Sequence, residues 1–162
     1  MATELRHGTW ARIFLQMDTE TKLRARKALT ELALVVEKQA KLNASNGSHK
    51  YRTRTPASPG EGPAVISGTL RRSITHTPVR VEAGDYVCKV GMAVNVFPSA
   101  NYYPGGTRTA PSSKYAFYLE NGLLKGSTNK YPFLGPAFKF ATGVPAVLIY
   151  NAAFGSGWRT IG

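Results

Sequence analysis

The chain has 162 residues, 43% of them hydrophobic, enough for one domain with its own core and too few for two comfortable ones. Lysine and arginine number 21 against 9 acidic residues, and the formal charge of +12 points to a polyanionic neighbour or an acidic protein partner. Cys88 is the only cysteine, which excludes an intramolecular disulfide, and the expectation is a soluble protein of a reducing compartment.

Residues 1–17 form an apolar-aromatic N-terminal arm with Leu5, Trp10, Ile13, Phe14 and Leu15. The arm lacks the basic segment, apolar run and small-residue cleavage site of a signal peptide. Asp18 or Thr19 then offers an N-cap. Ala25, Ala28, Leu29, Leu32, Val35, Val36 and Ala40 recur at three- and four-residue steps, which predicts a helix over 20–43. It should run about 24 residues, roughly 36 Å at 1.5 Å per residue. Asn43, Asn46 and Gly47 stop it.

Residues 44–66 read as a strap. Its first part, HKYRTRT, interleaves cations with a tyrosine, and Lys50, Arg52 and Arg54 are candidates for a basic patch facing DNA or a partner. Pro56, Pro59 and Pro63, with Gly60 and Gly62, exclude helix and central strand. An extended segment of this kind lies on something, and neighbouring copies are the expected support for Pro56, Pro59, Pro63, Val65 and Ile66. Ser67 or Thr69 should cap a short helix that puts Leu70 and Ile74 on one face and Arg71 and Arg72 elsewhere.

Alternation over 75–81 and 86–92, around an Ala83-Gly84-Asp85 turn, predicts a β-hairpin with Cys88 as an inert thiol within it. Residues 93–113 form a long loop; a loop of this length in a compact domain is functional or docks elsewhere, and it is expected to contact neighbouring copies through Tyr102 and Tyr103. KYAFYLENG (114–122) predicts a helix ended by Asn121-Gly122. Pro132 opens a further one, with Phe133, Leu134, Ala137, Phe138 and Ala141 on an apolar face. Gly143 and Pro145 break or kink it before the apolar run 144–154, which is too short to span a bilayer. Residues 155–162 are a C-terminal tail.

The chain carries no phosphate-binding glycine loop, no HExxH and no paired-cysteine zinc spacing. His7, His49 and His76 stand in an arm, a polar loop and a strand start, with no triad pattern around them. The reading is therefore no catalytic, cofactor-binding or metal-binding residues, and no enzyme. Glu120, in an aromatic-rich helix, would need a partner if buried, and Arg71 or Arg72 are the natural candidates for a polar pair.

Four segments stand in one order: the long amphipathic helix, TPASPGEGPAVISGTLRRSI, YAFYLENG and YPFLGPAFK. This succession resembles the tail-completion (neck) proteins of long-tailed bacteriophages, from about residue 20 to about 141. The loop 93–113 is long for the family, and Gly143 and Pro145 stand where an uninterrupted helix is expected. The resemblance implies an α+β fold, a small antiparallel β-sheet packed against the long N-terminal helix and a C-terminal helix, with extended arms and loops, in a single domain over 18–154. It also implies a virion structural protein at the head–tail junction, assembled in the host cytoplasm. Such a protein forms a ring of its own copies, six by implication, with DNA in the lumen. The head connector or stopper and the tail terminator or tube would be its neighbours. Alternatives are a tail terminator or head-closure protein, and a sequence-independent nucleic-acid-binding protein. No membrane partner is expected.

Overall fold

A computed structural model describes residues 19–46, 60–63, 68–93, 112–122 and 130–155, without the side chains of Thr19 and of 112–115. The arm 1–17, Lys50, Arg52, Arg54, Pro56, Pro59, Val65, Ile66, Tyr102, Tyr103, His7, His49 and nearly all of the tail lie outside the described residues.

Helix α1, Thr19–Asn43, has 25 residues and is the spine of the molecule. Its inward face is made of small residues: Ala28, Ala33, Val36 and Ala40 are buried, and Ala44 follows them just past the end. Leu23, Leu34 and Leu42 point outward. The periodicity was legible, but Ala33 and Ala44 were not among the expected core positions. Helices α4 (Leu134–Ala141) and α5 (Val144–Phe154) both lie along α1. Alanine on both sides of a crossing lets helix axes approach toward the lower end of the usual 8–10 Å range. Ala137 and Ala141 supply the facing side here.

Helix α2, Thr69–Ser73, is a single turn with Gly68 at its N-cap and no side-chain capping bond there; Thr69 lies inside the helix, and Ser67 is outside the described residues. Leu70 and Ile74 are buried on one face, and Arg71 and Arg72 are exposed, as their spacing predicts. Ser73 is buried with them and donates its hydroxyl to the Leu70 carbonyl at 2.7 Å.

The hairpin is split into two ladders. Strand β1 (Ile74–His76) pairs antiparallel with β4 (Val90–Met92), Ile74 opposite Met92. Strand β2 (Arg80–Glu82) pairs with β3 (Asp85–Val87), Arg80 opposite Val87. Between the ladders residues 77–79 face only 88–89, so the first arm carries one extra residue, the arrangement of a β-bulge. Pro78 sits at its centre and has no N–H to give a ladder. Thr77 bridges the gap. Its N–H donates to the Lys89 carbonyl at 2.8 Å, and its hydroxyl accepts the Lys89 N–H at 3.0 Å. The uninterrupted alternation expected over 75–81 and 86–92 fails here, because the extra residue reverses the facing of every side chain beyond it.

The turn has two central residues rather than three. Ala83 (φ 52°) and Gly84 (φ 94°) both lie in the left-handed region, which a type I′ hairpin turn requires. Alanine is strained there and asparagine is tolerated. Ala83→Asn should raise stability by about 0.5–1 kcal/mol, read as a higher urea midpoint at unchanged slope.

One core joins α1, α2, the β1–β4 ladder, helix α3 (Ser112–Asn121) and α4. Val36, Ala40 and Ala44 of α1 and the turn after it meet Leu70 and Ile74, Ala116 of α3, and Phe133, Ala137 and Ala141 of the α4 segment. The fold is α+β: a long N-terminal helix, two small antiparallel ladders and C-terminal helices. The break expected at Gly143 and Pro145 is present as a bend of 46° between α4 and α5.

Candidate functional site

Two motifs close on one carboxylate. A helix starts with four backbone N–H groups that have no partner within it, and a residue at the N-cap ordinarily supplies an acceptor. At the start of α4 the N-cap is Phe133, which has none. Glu120, in the last turn of α3, reaches across instead. Its Oε2 accepts the N–H of Phe133 at 2.9 Å and of Leu134 at 3.0 Å, and its Oε1 accepts that of Gly135 at 2.7 Å. The fourth position is Pro136, which has no N–H. One carboxylate and one proline thus account for the whole first turn. The negative charge also lies at the positive end of the helix dipole.

The neighbourhood is built for this contact. A Cβ at Gly135 would stand 2.9 Å from Glu120 Oε1, so glycine leaves the carboxylate room. Gly122 ends α3 with φ 87° and returns its N–H to the Tyr118 carbonyl at 2.8 Å. The Tyr131 N–H donates to the Leu119 carbonyl at 2.7 Å, tying the incoming chain to the end of α3. Phe133, only 1% exposed, fills the space beneath.

Asn43 joins the end of α1 to the same junction. Its side-chain N–H donates to the Phe133 carbonyl at 3.0 Å, and its side-chain oxygen accepts from Gln39 at 3.0 Å. The strap arrives on the other side. The Gly60 N–H donates to the Lys130 carbonyl at 2.8 Å, and a Cβ at Gly62 would stand 2.0 Å from the Asn43 carbonyl oxygen. Two expectations are corrected here. Pro63 is buried within its own chain, because Gly62 lets the strap settle on the end of α1, so it does not present itself to a neighbouring copy. Glu120 takes backbone N–H groups rather than a guanidinium, and Arg71 and Arg72 are exposed on α2.

Comparison with protein-family models, with curated proteins and with solved structures finds no match for this chain. The geometry is therefore the material for any functional reading.

A second polar cluster links α1 to the hairpin. His76 Nδ1 lies 2.6 Å from Glu37 Oε2, and Lys41 pairs with Glu37 Oε1. Burial alone pushes the Glu37 carboxyl up. The hydrogen bonds from His76 and Lys41, with their charges, outweigh it and hold the carboxyl below its ordinary value of 4.5. The folded state therefore binds fewer protons than the unfolded state in acid. The contribution is complete above about pH 4.5 and is lost as pH falls through the folded value. Glu37→Gln should cost about 1–2 kcal/mol near neutrality and flatten the acid limb of stability against pH, measured by urea unfolding at stepped pH.

Cys88 is half-buried, and its thiol donates to the Thr77 carbonyl at 2.9 Å. Burial pushes the thiol above its ordinary value of 9.0. The thiolate is the reactive form, so exchange of Cys88 with a chromogenic disulfide reagent at pH 8 should run slower than that of a free thiol. Arg26 lies over the Tyr86 ring at 5.3 Å and holds the hairpin to α1. Among the described residues no cluster of His, Cys, Asp or Glu has the makings of a metal site. No single described helix is long and apolar enough to cross a membrane; α4 and α5 together meet the length and composition only as a bent pair.

Sequence reasoning singled out Glu120 and missed Asn43, Gly62, Gly135 and Glu37. A usable signal was present for the first group. A helix opening on Tyr-Pro-Phe has no capping side chain of its own, so an acceptor had to come from elsewhere in the chain.

Proposed function

We propose that this chain is a virion structural protein at the head–tail junction of a long-tailed bacteriophage. Copies of it form a ring that completes the tail or joins it to the head connector, with DNA passing through the centre. One observation carries the reading. The segments whose order resembles tail-completion proteins meet in one core, and two of them, YAFYLENG and YPFLGPAFK, are joined through Glu120.

The charge of +12 suits a protein that lies near DNA without reading its sequence. Sixfold symmetry, a connector or stopper on one side and a terminator or tube on the other follow from the resemblance. A location in the virion, after assembly in the host cytoplasm, follows as well. The role is structural, with no catalytic step. A terminator or head-closure position would keep the same chemistry one layer away.

Interrupting this reading frame in the phage genome that encodes it should leave filled heads and finished tails unjoined in electron micrographs. Normal particles would end the proposal. The charge also favours a second reading, a free nucleic-acid-binding protein. That one requires the isolated chain to bind random-sequence duplex DNA with a steep loss of affinity on adding salt, whereas the ring reading expects weak binding before assembly.

A further inference from the structure

We propose that the outward face of α5 is a docking surface for a second copy of this chain. A helix that is apolar all round belongs in an interior, and α5, VPAVLIYNAAF, carries no charged residue and no fully buried one. Its inner side lies on α1. Its outer side presents Val144 (71% exposed), Val147, Leu148 (63%) and Tyr150, joined by three- and four-residue steps. Phe138 and Phe140, in the helix before it, are also more than half exposed. Aromatic side chains of this kind remove about 150–250 Å² each when buried. Six large apolar residues at half exposure or more thus reach several hundred Å², the scale of one side of a standard interface at about 800 Å² per partner. A monomer rarely shows a larger patch without a use for it.

Charge selects the occupant. Residues 140–158 contain no Asp, Glu, Lys or Arg, in a chain whose formal charge is +12. Two copies meeting across a cationic face would bring like charges together, each close pair costing about 1 kcal/mol in water at 4 Å. Across α5 they meet on an apolar helix that carries no charged side chain. An acidic partner would find no cation on α5 itself to pair with. The inference deepens the ring reading, on which it rests for the closed arrangement of copies. Self-association through α5 is a property of the purified chain alone.

The test is sedimentation velocity of the full chain over a wide concentration range, at low and high sodium chloride, beside Leu148→Glu and the milder Val147→Ser. Both substituted residues are exposed, and circular dichroism confirms that each variant is folded. The expected result is a mass that rises with concentration, association that strengthens as salt screens the shared positive charge, and a loss of roughly tenfold or more in association constant for Leu148→Glu, with a smaller loss for Val147→Ser. A wild-type chain that stays monomeric throughout overturns the proposal. So does association that Leu148→Glu leaves unchanged, or a monomer that instead sediments with phosphatidylcholine vesicles. Self-association through α5 in a chain that phage particles do not need would sink the head–tail reading and leave this one standing.

Discussion

Glu120→Ala should lower stability by about 3 kcal/mol and shift the thermal midpoint down by roughly 6–12 °C for a chain of this size. The substitution removes one side chain but three hydrogen bonds, at 2.9, 3.0 and 2.7 Å, each to a charged acceptor. The three donors are not equal afterwards. Gly135 is exposed and water can reach its N–H, whereas Phe133 is buried and its N–H loses its acceptor outright. The loss of favourable charge at the helix start adds to this. Glu120→Gln keeps one acceptor oxygen but turns an amide N–H toward a backbone donor, so it should recover less than half of the loss. Urea unfolding gives the energies, and amide exchange at Phe133 and Leu134 gives the location. Should Glu120→Ala fall within 0.5 kcal/mol of the parent by urea unfolding, below the roughly 1 kcal/mol expected of even one cap, the carboxylate is not what holds α4 in place.

Gly62→Ala should cost about 2–3 kcal/mol, an effect out of proportion to one methyl group at a half-buried site. Its Cβ would stand 2.0 Å from the carbonyl oxygen of Asn43 and 3.1 Å from the carbonyl carbon. Both are backbone atoms at the end of a 25-residue helix and cannot swing aside as a side-chain tip would. The chain must either lift residues 60–63 off α1 or deform the helix end. Lifting them exposes Pro63 and breaks the bond from Gly60 to the Lys130 carbonyl. Gly60→Ala is the informative control: it has open space around it but φ 90°, so it carries backbone strain without a collision. A urea midpoint for Gly62→Ala equal to or above that of Gly60→Ala would show that the strap does not seat as described.

Much of this architecture is legible in the sequence. The long helix and the split of Leu70 and Ile74 from Arg71 and Arg72 follow from spacing, because spacing is what a helix converts into faces, and the break at Gly143 and Pro145 follows from the two residues themselves. The partner of Glu120 was not readable by matching charges, since backbone N–H groups carry no mark in a residue list. The hairpin was visible as two alternating runs, but Pro78 inserts a residue that alternation alone does not count. The burial of Pro63 was hidden for another reason. A proline-rich segment announces that it is extended, not what it lies on, and the seat was set by one absent Cβ at Gly62.

The alanine-lined spine has a consequence for how this protein tolerates change. In most cores the large aliphatic positions are the fragile ones. Here Leu23, Leu34 and Leu42 face outward while Ala33, Ala40, Ala137 and Ala141 sit at the helix contacts, so the usual ranking inverts. A saturation scan should find Leu23, Leu34 and Leu42 open to polar replacement and the buried alanines the least negotiable. Lineages would then drift in greasiness along that helix while conserving its thinness.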